Sequence, residues 1–302
     1  MFDFISVIIP TYNPKEHIFI RTLDALKAQT LARSNWEIII IDNNSAEKIT
    51  TDLFWQQNSK IIFEPRQGLS YARLNGFSQA KGELILMLDD DNILDRNYLS
   101  NCLNIFNENM TLGAIGGKSL PSFEVEPPYW INEFYGNLAL RDLGDVELVE
   151  FWENKYPNCA PIGAGMAIKK IALESYMENN LQNKAIIADR TGYSLSSGGD
   201  NDIVIEILKS GWSVGYFPRL ELTHIIPKGR LQFSYFARLV NDTNKSWVQL
   251  LEKHKINPWN KIPGWTLPFR KVKSWFKVAA WKSKINYLKW KATCGYYDGL
   301  IK

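Results

Sequence analysis

Apolar residues in the first hundred positions fall into short unbroken runs instead of alternating with polar ones. Ser6-Val7-Ile8-Ile9-Pro10, Glu37-Ile38-Ile39-Ile40-Ile41-Asp42, Lys60-Ile61-Ile62-Phe63 and Leu84-Ile85-Leu86-Met87-Leu88 each read as a strand. Helical spacing covers about 16–29 and 69–81 between them. Strands apolar on both faces, alternating with helices, predict a parallel sheet covered on both sides. Three of the runs end in polar clusters: Thr11-Tyr12-Asn13, Asp42-Asn43-Asn44-Ser45 and Asp89-Asp90-Asp91. Ligands of such sheets bind beyond the carboxyl ends of the strands, so the clusters predict one polar edge that forms a site.

Further along, the pattern loosens. Residues 118–156 read as loops, with Pro121, Pro127-Pro128 and the aromatic pair Tyr129-Trp130. Trp130 could stack on a ligand ring, but anchoring its own segment is the favoured reading. Order returns at Ile162-Gly163-Ala164-Gly165-Met166-Ala167-Ile168. Ser196-Ser197-Gly198-Gly199-Asp200-Asn201-Asp202 then leads into an amphipathic helix carrying Ile203, Ile207 and Leu208 and ending at Gly211. Two short strands are expected on either side of Pro218, the second being Leu220-Glu221-Leu222-Thr223-His224. Near the end, one helix from Arg270 to Lys291 would place Val272, Trp275, Phe276 and Ala279 on one face. Lys273, Lys277, Lys284 and Lys291 would fall on a neighbouring flank.

Composition adds one thing to this picture. The net charge of +3 over 302 residues conceals an asymmetry. From Lys253 to Lys302 there are 12 Lys and Arg against the single acid Asp298, while the remainder carries 23 basic and 31 acidic residues. The same segment holds five of the 11 tryptophans: Trp259, Trp265, Trp275, Trp281 and Trp290. Lysines attract anionic lipid and tryptophans settle at headgroup depth, so contact with a membrane surface through 265–291 is expected first, and packing back on the domain second. No nucleic-acid recognition motif accompanies the basic residues, and no nucleic-acid partner is expected. No run reaches the ~20 apolar residues needed to span a bilayer. Cys102, Cys159 and Cys294 form no paired framework, and the chain enters a strand without a signal-like stretch. A cytoplasmic protein, peripherally attached to the membrane, is the expectation.

Three carboxylates following a buried strand are costly unless they face a cation. Oxygen-rich sites suit Mg²⁺ or Mn²⁺, and those ions suit phosphates. Capping of the next helix is the plainer alternative. Together, Pro10-Thr11-Tyr12-Asn13, Asp42-Asn43-Asn44-Ser45, Gly68…Ala72-Arg73…Gly76, Asp89-Asp90-Asp91, Gly163-Ala164-Gly165-Met166, Gly198-Gly199-Asp200-Asn201-Asp202 and His224 resemble an inverting family 2 glycosyltransferase of the GT-A fold, over about residues 4–230.

That resemblance implies an α/β, Rossmann-like fold with a mixed central sheet. Its catalytic domain would span 1–230, divided into a nucleotide-sugar half (1–115) and an acceptor half (116–230), with a helical extension at 231–302. It implies a nucleotide-sugar donor, most commonly UDP-linked, a divalent metal (Mn²⁺ or Mg²⁺), and a glycan or lipid-linked acceptor in surface polysaccharide assembly. Pro10, Thr11, Asn13, Asp42, Arg73, Asp89 and Asp90 match donor-binding positions, and Asp91 and His224 match metal ligands. Asp200 matches the catalytic base, which takes the acceptor proton. Asp202 is the rival, expected instead to touch the acceptor or stabilise the helix N-terminus. His17 and His254 are expected at the surface. The sequence departs from the family at Leu74, where Asn is commonest and where Asn75 follows, and at Gly199, in place of the first acid of a pair. These departures leave a non-catalytic sugar- or lipid-binding scaffold as the alternative. A nucleotidyltransferase lacks its Gly-rich loop here, and an NAD enzyme its GxGxxG.

Overall fold

The computed structural model describes residues 1–182 and 198–302. The elements run β1 (Ile5–Thr11), α1 (Glu16–Lys27), β2 (Trp36–Asp42), β3 (Ser59–Phe63), α2 (Leu69–Gln79), β4 (Leu84–Met87), β5 (Asn92–Leu94), α3 (Tyr98–Glu108), β6 (Leu112–Phe123) and β7 (Leu148–Glu150). They continue with β8 (Ala167–Lys169), α4 (Glu174–Gln182), α5 (Gly199–Lys209), β9 (Ser213–Ile226), α6 (Phe233–Lys253), α7 (Leu267–Lys277) and α8 (Lys284–Gly299).

The strands form one sheet in the order β3-β2-β1-β4-β8-β6-β9-β5, with β7 paired to β9. The parallel pairs lie among β1–β4, and β8 runs antiparallel to both β4 and β6, so the sheet is mixed. The unbroken apolar runs have a simple cause. Ile5, Val7, Ile38, Ile40, Leu84 and Leu86 join the core on one face, with Phe19, Leu23 and Leu26 of α1. Ile8, Ile39, Ile41, Ile85 and Met87 join the core on the other, with Ala72 and Phe77 of α2. Successive residues of a strand point to opposite faces, and here both faces are dry.

The structure revises three expectations. A single strand, β9, passes through Pro218. It pairs with β7 at Val214–Tyr216 and with β5 at Leu222–His224, so the proline, which has no N–H to give, falls between the two ladders. The loop-rich stretch contains the second half of β6, the short strand β7 and 3₁₀ turns over Tyr129–Leu138. The tail helix expected over 270–291 is two helices. The chain leaves α7 at Val278, Ala279 adopts φ +48°, and Ser283 caps α8 by accepting a hydrogen bond from the Asn286 N–H at 3.0 Å.

Two compact units result. One contains the described residues within Met1–Ser122, Ala139–Ile186 and Ile203–Ile225; the other contains those within Phe123–Leu138, Ile187–Asp202 and Ile226–Lys302. In the second unit, α8 lies directly against α6. Gly295 makes this possible, because a β-carbon there would stand 2.1 Å from the Asn241 carbonyl oxygen. Trp130 is buried against Phe233 and Phe236 of α6, with ring centroids 5.6 and 5.2 Å away, and so anchors its own segment. Among the described residues no helix is long and apolar enough to cross a membrane.

Candidate active site

Within the first unit, the ends of β1, β2 and β4 carry the polar clusters read from the sequence. Thr11 is buried, and its hydroxyl donates to the Asp90 carboxylate. The Thr22 hydroxyl of α1 donates to the Asp90 carbonyl at 3.0 Å, so Asp90 is tied from two elements. Asp42, also buried, accepts the Ser45 N–H at 3.0 Å. Asn13 closes the same corner, accepting the Ala46 N–H at 2.8 Å while its own N–H donates to the Ser45 hydroxyl at 2.9 Å. Asn13 and Asn44 adopt positive φ, a conformation asparagine tolerates better than most residues. Pro10 closes β1 beside Ile41.

Arg73 is buried on α2, with its guanidinium 3.9 Å from the Asp89 carboxylate. Asp89 is itself about a third exposed, which leaves this edge open to a ligand. The departure at Leu74 has a structural answer: its side chain is buried in the core beneath α2. Asn75 donates to Glu64 at 3.1 Å. The Arg66 hydrogen bonds to Glu64 hold that carboxyl below its usual range despite burial.

Asp91 begins the turn into β5. Its carboxylate accepts the Asn92 amide at 3.1 Å and stands 3.3 Å from His224 Nε2. Pairing between β5 and β9 sets Asn92 opposite His224, and the Ile225 N–H donates to the Asp91 carbonyl at 2.9 Å. A carboxylate and an imidazole are therefore buried side by side, although 133 positions separate them in the chain. One hard or borderline cation suits that donor pair. Below it, Gly165 adopts φ +74°, donates to the Met87 carbonyl and accepts the Tyr98 hydroxyl at 2.6 Å.

The second unit holds the other acids. Asp200 and Asp202 lie in the first turn of α5, whereas Ser196 and Ser197 of that motif lie outside the described residues. Asp200 is half-buried, and its carboxylate accepts the Asn201 N–H at 3.0 Å. Asp202 is 1% exposed and fully engaged: Lys253 Nζ lies 2.8 Å and His254 Nε2 2.7 Å from its oxygens. His254 is thus no surface residue. The end of α6 carries it onto Asp202, a contact across 52 positions that the sequence around His254 does not announce. His17 is exposed, as expected.

Two residues that sequence reasoning passed over also build the site. Asn43 donates to the Arg66 carbonyl at 2.7 Å and accepts the Gly68 N–H at 2.7 Å, latching the loop that carries Arg73. Asn92 does the same for the aspartate turn, accepting the Asp89 N–H at 3.3 Å. Their signal was an asparagine directly after each strand-end acid, a residue suited to bonding nearby backbone.

With this geometry in view, comparison with known proteins becomes informative. Residues 6–166 match the model of glycosyl transferase family 2. Among solved structures, the chain resembles the mannosyltransferase PcManGT from Pyrobaculum calidifontis, solved with GDP-Man and Mn²⁺. The two share 20% identity and a TM-score of 0.56, over 96% of this chain and 73% of that one. It also resembles residues 1–349 of S. aureus TarS, solved with UDP-GlcNAc, at 14% identity and a TM-score of 0.55, over 97% and 89% of the two chains. The fold is GT-A. The chain belongs to glycosyl transferase family 2. Its curated relatives include the glucosyl-dolichyl phosphate glucuronosyltransferase of Haloferax volcanii, 24% identical over 50% of each chain. Another is the poly(ribitol-phosphate) beta-N-acetylglucosaminyltransferase TarP of Staphylococcus aureus, 28% identical over 47% of this chain and 44% of that one. The chain spans about half the length of these curated relatives.

Proposed function

We propose that this protein is a glycosyltransferase that moves a sugar from a nucleoside-diphosphate donor, UDP-linked in the first instance, to a hydroxyl of a glycan or lipid-linked acceptor, with inversion. The observation that carries the reading is the buried Asp91–His224 pair beside the polar edge of Thr11, Asp42, Arg73 and Asp89. Solved relatives of the fold bind GDP-Man, UDP and UDP-GlcNAc, which supports a nucleotide sugar as donor. Relatives that act on dolichyl phosphate and poly(ribitol phosphate) support a lipid-linked or polymeric acceptor in surface glycan assembly.

In this reading Asp42 and Thr11, with Pro10 and Asn13, bind the nucleoside, and Arg73 with Asp89 and Asp90 the donor sugar and phosphates. Arg73 suits that role, since its fork of donors matches anionic oxygens. Asp91 and His224 would hold a divalent cation, Mn²⁺ or Mg²⁺, which when bound neutralises charge growing on the departing diphosphate. Asp200 takes the proton of the acceptor hydroxyl as its oxygen bonds to the anomeric carbon; the carbon–oxygen bond to phosphate breaks, and the nucleoside diphosphate leaves. Asp202 is a poor base because Lys253 and His254 already occupy its carboxylate.

The exposed face of α7 fits attachment to the inner, cytoplasmic face of a membrane. Phe269 is 70% exposed and Phe276 65%, Trp265 in the 3₁₀ turn just before the helix is 75% exposed, and in sequence they stand among Arg270, Lys271, Lys273 and Lys277. Apolar rings flanked by cations favour an anionic bilayer. The test of the enzymatic reading is transfer from UDP-sugars to glycan acceptors by Asp91→Ala and Asp200→Asn variants. Both should lose it, and undiminished transfer in either would remove that residue from its role.

A further inference from the structure

The second unit contains a cavity of about 280 Å³ lined by Asn137, Asn201, Thr243, Asn244, Trp247 and Tyr296. We propose that it is a sugar-binding subsite taking one neutral pyranose ring of the acceptor. This rests on the reading of the acceptor as a glycan.

The lining chemistry is selective. Among the described residues no charged side chain borders the cavity, so they offer a nucleoside diphosphate, a metal or a phosphate nothing to neutralise it. Three asparagines, a threonine and a tyrosine supply donors and acceptors together, which matches the mixed hydroxyl pattern of a sugar. Trp247 and Tyr296 add flat apolar faces of the kind that cover the C–H side of a pyranose. The volume lies just below the range of ~300–1,000 Å³ usual for small-molecule pockets, which fits one ring and not a chain of them.

The walls are also prepared. The Thr243 hydroxyl is buried and has no hydrogen-bond partner among the described residues, a state that costs free energy unless a ligand or water answers it. One amide N–H of Asn244 donates to the Val240 carbonyl at 2.7 Å, which fixes the orientation of that side chain. Tyr296 is braced by Trp259, with ring centroids 5.2 Å apart and an interplanar angle of 67°. Asn201 directly follows Asp200 in the first turn of α5. A ring held here would therefore sit beside the turn that carries the proposed base, where an acceptor hydroxyl has to be.

The test is saturation-transfer NMR on the full chain without donor or metal. The probes are methyl β-D-glucopyranoside, methyl α-D-mannopyranoside and methyl N-acetyl-β-D-glucosaminide. Saturation should reach the ring protons of at least one glycoside, and Thr243→Val should weaken its binding by about five- to tenfold, the effect of one lost hydrogen bond. Thr243→Val should melt no lower than wild type, since it removes an unanswered hydroxyl. Asn137→Ala, on a different segment, should weaken binding independently. Saturation of none of the three glycosides, or equal binding by wild type and both variants, would overturn the subsite. Nucleotide-sugar hydrolysis by the wild-type chain, measured in parallel, bears on the donor reading alone. Its absence alongside glycoside binding would count against the enzyme mechanism and not against this cavity.

Discussion

Among the described residues two aspartate–histidine pairs are buried, one in each unit, and they differ in where they sit. Asp91 and His224 stand 3.3 Å apart where β5 meets β9, with the Asn92 amide on the same carboxylate. Asp202 and His254 stand 2.7 Å apart where the start of α5 meets the end of α6, with Lys253 completing the set at 2.8 Å. The Lys253 ammonium, itself exposed, and the buried His254 imidazole both bond the Asp202 carboxylate, so that cluster fastens two helices. Asp91 counts the Asn92 amide and the His224 imidazole among its partners, at an edge whose neighbours suit nucleotide and phosphate. Similar residues thus serve packing in one place and, we propose, chemistry in the other.

The sharpest way to break this contrast is to remove each site in turn. Asp91→Ala and Asp200→Asn should each lower the rate of sugar transfer by about 10²–10⁴-fold, measured as nucleoside diphosphate released with acceptor present. Asp202→Ala should act on stability instead, costing about 2 kcal/mol in denaturant unfolding, because it leaves His254 buried without its partner, while Lys253, which is exposed, turns to solvent. If Asp202→Ala left stability untouched, the cluster would not be a fastener.

Much of the contrast could be foreseen from the sequence, but only on one side. Unbroken apolar runs announced β1, β2 and β4, and the polar clusters at their ends announced the edge, because strand and site residues there are neighbours in the chain. His224 was placed with Asp91 only by family resemblance. His254 was misread because its partner lies 52 positions away and its own surroundings, Lys253 and Lys255, look solvated. The tail helix broke at Ala279 without any glycine or proline to mark it. What fixes the break is packing that periodicity cannot express: Trp275 of α7 turns inward onto Trp290 and Tyr287 of α8, at 4.8 and 6.0 Å between centroids.

Two smaller effects sharpen the picture of the second unit. Gly295→Ala should cost about 2 kcal/mol in unfolding, since its methyl group must push α8 away from the Asn241 carbonyl. Substitution on the outward face of α7 should behave in the opposite way. Phe269→Asp with Phe276→Asp should reduce binding to vesicles containing phosphatidylserine by at least about tenfold, read by co-sedimentation. The same pair should change stability by less than about 0.5 kcal/mol, as expected for exposed positions.

The most direct test of the contrast between the two pairs is a thermal melt with and without UDP and Mn²⁺, run on wild type, Asp91→Asn and Asp202→Asn. A ligand that binds only the folded state raises the melting temperature. Wild type should gain stability only when both ligands are present. Asp91→Asn should melt near the unliganded wild type and lose that gain, whereas Asp202→Asn should melt lower and keep it. A gain retained by Asp91→Asn and lost by Asp202→Asn would reverse the assignment and contradict the account.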